Sequence, residues 1–166
     1  MAPLITLVGT AALLSVLGLL GVRRLRPWPV ALRGGLAAMF TVTGTAHFVG
    51  LRDTLIAMVP PALPAPELLV TVTGVLELAG AAGLLWHRTA PWAAAGLTLM
   101  LVAMFPANVY AITEGVPTGL TESLPVRTAM QAVFVAATTA VLVHYVHAWH
   151  GRRRQAPAER RPVPRA

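Results

Sequence analysis

Five side chains carry chemistry that their apolar surroundings do not account for: His47, Glu77, Asn108, Arg127 and Gln131. Glu77 is the most costly. It lies mid-way along Val70 to Trp86, VTVTGVLELAGAAGLLW, which is otherwise apolar except for two threonines. Ionisable groups in spanning segments are rare and face a bundle interior or a wet cavity. A carboxyl at that position can exchange a proton, hold a ligand or hydrogen-bond a neighbouring helix, and these roles stay open. The cost of burying a bare charge favours a protonated or hydrogen-bonded carboxyl. His47, in the run TGTAHF, supplies an imidazole near the end of its segment. Asn108 and Gln131 are amides of the kind that joins helices in lipid. Arg127 is either a donor to a ligand oxygen or an interfacial anchor.

The elements that hold these residues are set by composition. The chain has 166 residues, of which 56% are hydrophobic and 11% charged, with a mean hydropathy of +0.69. A soluble domain of this size carries roughly 25% charged residues, so lipid is the expected solvent. The length suits one domain. There is no cysteine, which excludes disulfides, thiol redox chemistry and cysteine-ligated metals within this chain. All 13 basic residues are arginine, and the net charge is +7. With so much Ala, Gly, Pro and Val, this points to a GC-rich bacterial genome.

Five apolar runs are long enough to span, given that about 20 residues cross a bilayer. They are Leu4 to Val22, Val30 to Leu51, Leu68 to Trp86, Trp92 to Ile112 and Leu124 to His147. The first is read as a retained span because its arginines, Arg23, Arg24 and Arg26, follow it instead of preceding it. Pro27 and Pro29 separate it from the second run, where Gly34, Gly35, Ala37 and Ala38 allow close helix contact. Between the second and third lies LRDTLIAMVPPALPAPE. Asp53 is placed to cap a short helix over residues 54–58. Pro60, Pro61, Pro64 and Pro66 end it. This segment is too apolar for an ordinary loop and is expected to fold back as a lid. In the fourth run Pro106 cannot donate to the Val102 carbonyl, so a kink is expected there.

Eleven of the 13 arginines fall on one side of this five-span topology, leaving Arg52 and Arg127 on the other. The positive-inside rule makes the arginine-rich side cytoplasmic and the amino terminus external. Trp28, Trp86, Trp92 and Trp149 fall at the same inner boundary, as interfacial anchors do. The expected fold class is an all-α membrane protein with a four-helix core and one additional amino-terminal helix. Residues 1–29 form that helix and a basic loop, 30–150 the four-helix domain, and 151–166 a disordered basic cytoplasmic tail.

Helical spacing puts Thr73, Glu77, Gly80 and Leu84 on one face of the third span, and Arg127, Gln131, Thr138 and Tyr145 on one face of the fifth. Measured down from the outer ends at ~1.5 Å per residue, Arg127 is shallowest, then His47, Asn108, Gln131 and finally Glu77. The expectation is one outward-facing pocket with Glu77 at its floor and the proline segment above it. His144, His147 and His150 are read as interfacial histidines. A phosphate loop, an HExxH motif and a GxSxG elbow are missing from the sequence. The basic tail lacks the aromatic interleaving of nucleic-acid binders and is read as a topology determinant.

GTAHF, MVPPALPAPE, TGVLELAGAAGLL, FPANVYA and RTAMQ, in that order, resemble the DoxX-like family of small bacterial membrane proteins. The resemblance covers residues 32–143 and implies a four-helix membrane core, to which the first span is an addition. It marks His47, Pro60, Pro64, Glu77, Pro106, Asn108, Arg127 and Gln131 as family-type core positions. It further implies a membrane subunit or accessory of a redox system in the bacterial inner membrane. The expected partners are the bilayer and a membrane or periplasmic redox protein; no nucleic acid is expected. A quinone-like molecule is the expected ligand. A non-catalytic scaffold that assembles a partner, and a small-molecule permease, are the alternatives.

Overall fold

Apolar runs with proline at their starts and turn residues at their ends become helices in the computed structural model, which describes residues 1–116 and 123–155. α1 spans Ala2–Leu19, α2 Trp28–Ala46, α3 Arg52–Ala57, α4 Pro66–Leu85, α5 Ala90–Thr113 and α6 Leu124–Gln155. A single 3₁₀ turn, Arg23–Leu25, joins α1 to α2. Proline stands in the first turn of α1, α2, α4 and α5, where its missing N–H costs nothing. Gly21, with φ of +122°, makes the reversal after α1.

The protein is an all-α membrane protein. α1, α4, α5 and residues Leu124–Gly151 of α6 are each long and apolar enough to cross a membrane. Their outward faces are apolar: Ile5 is 68% exposed and Leu99 71%, whereas Glu77 is 5% exposed. That inversion fits a lipid solvent. α2 lacks comparable hydropathy because it carries Arg33 and several threonines. It is instead sheathed by protein, packing against α1, α4 and α6. α2, α4, α5 and α6 close a ring, each touching the next and α6 returning to α2, with α1 laid on the outside of α2. The core of the ring is built by Leu36, Met39, Phe40, Leu84, Leu97 and Val141.

Small residues set the helix separations. A Cβ on Gly35 would stand 2.6 Å from the Leu7 carbonyl oxygen of α1. Gly80 and Gly83 of α4 receive Leu97 and Ala93 of α5. Gly80 and Gly83 are therefore occupied inside the chain.

Several boundaries differ from expectation. α2 ends at Ala46, five residues before Leu51, and His47 is its C-cap. Asp53 does not cap α3: the cap is Leu51, with no side-chain bond, and Asp53 sits in the first turn. Pro106, where a kink is expected, lies inside α5. α6 runs to Gln155, so the first five residues expected to be a disordered tail are helical. Residues 156–166 lie outside those described. So do residues 117–122 of the polar loop before the fifth span.

Candidate functional site

Among the described residues, the two buried titratable groups, His47 and Glu77, meet at the crossing of α2 and α4. The two helices run antiparallel, as their contacts show: Gly44 meets Glu77 and Leu78, and further along α2 His47 meets Val70 and Gly74. A Cβ on Gly44 would lie 3.1 Å from that of Glu77, and one on Gly74 would lie 2.5 Å from that of His47. Only glycine lets the backbones come this near. The approach leaves His47 Nε2 3.5 Å from Glu77 Oε1, with His47 3% exposed.

Hydrogen bonds fix both groups. Thr43 Oγ1 donates to Glu77 Oε2 at 2.5 Å. His47 Nδ1 lies 2.8 Å from the Val70 carbonyl oxygen and 3.3 Å from Thr73 Oγ1. The Thr73 hydroxyl donates to the Leu69 carbonyl at 2.8 Å. Val70 can only accept and the Thr73 proton is already directed elsewhere, so His47 Nδ1 carries a proton. Nε2 is then the nitrogen that gains or loses a proton, and it faces Glu77. An approach of about 0.5 Å would bring the two within ordinary hydrogen-bond reach.

Arg52 belongs to this site, although by sequence it is only one of two arginines outside the basic cluster. Its guanidinium donates to the His47 carbonyl at 3.3 Å and to Thr71 Oγ1 at 3.1 Å. It thereby ties the end of α2 to α4. Its isolation from the other arginines was the available signal.

The remaining candidates meet elsewhere, between α5 and α6. Arg127 donates to Asn108 Oδ1 at 3.4 Å. Gln131 Nε2 donates to the Leu101 carbonyl at 2.5 Å. That carbonyl precedes Val102, whose own carbonyl is the one Pro106 leaves without a helical donor, so the bond fastens α6 to α5 beside the proline. Thr98 donates to the fully buried Thr138 at 2.8 Å. The five candidates thus fall into a histidine–carboxyl pair on α2 and α4, and a neutral-amide and arginine group on α5 and α6. In the proline segment Pro60 is half-buried while Pro61 and Pro64 are exposed. The segment is pinned by buried Met58, and α3 packs on α4.

The family comparison can be set on this geometry. A family model described as a domain of unknown function, DUF8561, matches residues 36–143. The chain belongs to that family. The DUF8561 region starts within α2 and ends within α6, so it holds all five candidates and leaves α1 outside. No curated protein and no solved structure matches the chain.

The opposite end of the molecule has its own polar residues. Arg33 of α2 donates to the Tyr145 hydroxyl of α6 and, at 3.1 Å, to the Leu85 carbonyl at the end of α4. It joins three helices, a role its place among the basic residues did not reveal. A groove of about 510 Å³ nearby is lined by Val146, His147, His150 and Gly151, far along α6 from Gln131. His150 Nδ1 is taken up by the Val146 carbonyl at 2.8 Å, and His144 packs edge-on to Trp28.

Proposed function

We propose that this DUF8561 protein is a multi-pass bacterial inner-membrane protein of the DoxX-like type that serves as a membrane subunit or accessory of a redox system. Its amino terminus faces outward and the arginine-rich end faces the cytoplasm. His47 and Glu77 handle a proton for a small quinone-like ligand reached from the outer half of the bundle. The observation that carries this reading is the closed His47–Glu77 pair across α2 and α4. Glycine packing alone joins helices in lipid, so an imidazole–carboxyl pair inside the bundle is a functional feature by default. Quinone reduction consumes protons as well as electrons, and such a pair can supply one. This chain has no cysteine, so a dithiol within it is not the electron source; in this reading a partner protein supplies the electrons.

Mass spectrometry of lipophilic molecules co-purifying with the wild-type protein and with Glu77→Gln tests the ligand. A quinone retained by the wild type and lost in Glu77→Gln supports the reading; no quinone in either contradicts it. A reporter fused after Arg153 tests orientation and is expected to read as cytoplasmic.

A second reading, an accessory scaffold without a ligand, is favoured by one observation. Gln131 is committed to the Leu101 carbonyl and Asn108 to Arg127, as interhelical fastenings would be. Purification from native membranes in mild detergent separates the two: the scaffold requires a stoichiometric partner and no small molecule.

A further inference from the structure

The sequence around His47 is repeated around Glu77. Thr43-Gly44-Thr45-Ala46-His47 on α2 and Thr73-Gly74-Val75-Leu76-Glu77 on α4 share the pattern TGxx followed by a titratable residue. In antiparallel helices the repeat becomes reciprocal contact. Each glycine makes room for the other helix's titratable residue: Gly44 for Glu77 and Gly74 for His47. Each threonine hydroxyl touches the other helix's titratable group: Thr43 with Glu77 Oε2 and Thr73 with His47 Nδ1. Each hydroxyl also lies near its own helix's carbonyl three residues back, Phe40 at 3.5 Å and Val70 at 3.1 Å. A local pseudo-two-fold axis therefore passes through the crossing and exchanges the positions of His47 and Glu77.

We propose that these two TGxx segments form a single-proton site, in which Thr43 and Thr73 are positioning residues and one proton is shared between Glu77 Oε1 and His47 Nε2. The proton leaves the carboxylic acid and arrives on the imidazole, giving carboxylate and imidazolium; both states have no net charge. Neutrality in both is what makes the site tolerable within the bundle. The charged side chain set against the pair is Arg52 of α3, engaged by the His47 carbonyl and Thr71. From α6, Arg127 is directed to Asn108 of α5. The inference rests on the proton role proposed above but needs no quinone.

The test is an infrared and ¹⁵N-histidine pH titration of the purified full chain without added ligand. The carboxyl absorption of Glu77 is assigned by its loss in Glu77→Gln, and the His47 signal by its loss in His47→Gln. In the wild type both signals are expected to change together at each of the pair's two proton steps, and Thr43→Val and Thr73→Val are expected to shift those steps by comparable amounts. Independent titration of the two groups in the wild type overturns the proposal. The double exchange His47→Glu with Glu77→His places each group in the other's equivalent surroundings. It is expected to fold and keep the joint change of the two groups. A double exchange that unfolds, or whose groups titrate separately, overturns the reciprocity. Because no quinone is present, a missing ligand and a missing shared proton are read in separate experiments.

Discussion

The two helix interfaces in the Glu77 half of the bundle use polar residues in opposite ways. Between α2 and α4 the opposed groups are an imidazole and a carboxyl, brought together by two glycines and held by two threonines. Between α5 and α6 they are an amide on a backbone carbonyl, a hydroxyl pair and an arginine on an amide. Removing a proton changes the first interface and leaves most of the second untouched. The second fastens α5 to α6, and fastening requires no titratable group. Polar residues at similar depth in a membrane bundle thus divide into those that can do chemistry and those that keep the helices assembled.

The comparison breaks most severely at the glycines. Gly74→Ala forces a Cβ to within 2.5 Å of that of His47, and thermal unfolding in detergent is expected to show a loss of about 3 kcal/mol. Gly96→Ala on α5 meets nothing within 4 Å and is expected to stay within about 0.5 kcal/mol of wild type. Next in size is the coupling across the pair. A double-mutant cycle of His47→Gln and Glu77→Gln is expected to give an interaction of about 1.5 kcal/mol, whereas Glu77→Gln with Gln131→Leu should be additive.

Gln131→Leu alone removes the bond from α6 to the Leu101 carbonyl and is expected to cost about 1 kcal/mol. The smallest effect is expected from Thr98→Val, which gives up one hydroxyl pair at about 0.6 kcal/mol.

Hydropathy places α1, α4, α5 and α6, because in lipid each span must satisfy its own backbone, and it falls short at α2, which Arg33 and the threonines make less apolar. Their ends were less legible. Asp53 was read as a cap by residue type, but α3 starts one residue before it, so its carboxyl lies within the first turn. Helical spacing turned Glu77 and Gln131 inward, and both are inward. What spacing could not give was the partner. Gln131 answers to a main-chain oxygen, which no residue type announces. His47 and Glu77 meet because two glycines fix where α2 and α4 cross, and that depends on three-dimensional register. The TGxx repeat was visible in the sequence, but its meaning follows only once the two helices are known to run antiparallel. The charge of Arg33 and Arg52 is legible in the sequence, but the carbonyls and hydroxyls that their donors reach are set by how the helices pack.

The most direct test of the central claim is the protonation of His47 Nε2 as a function of pH, followed by ¹⁵N magnetic resonance in the wild type and in Glu77→Gln. The account predicts that Nδ1 keeps its proton throughout and that the Nε2 curve moves when Glu77 is replaced. An Nε2 curve that is identical in the two proteins, or an Nδ1 without its proton, would contradict it.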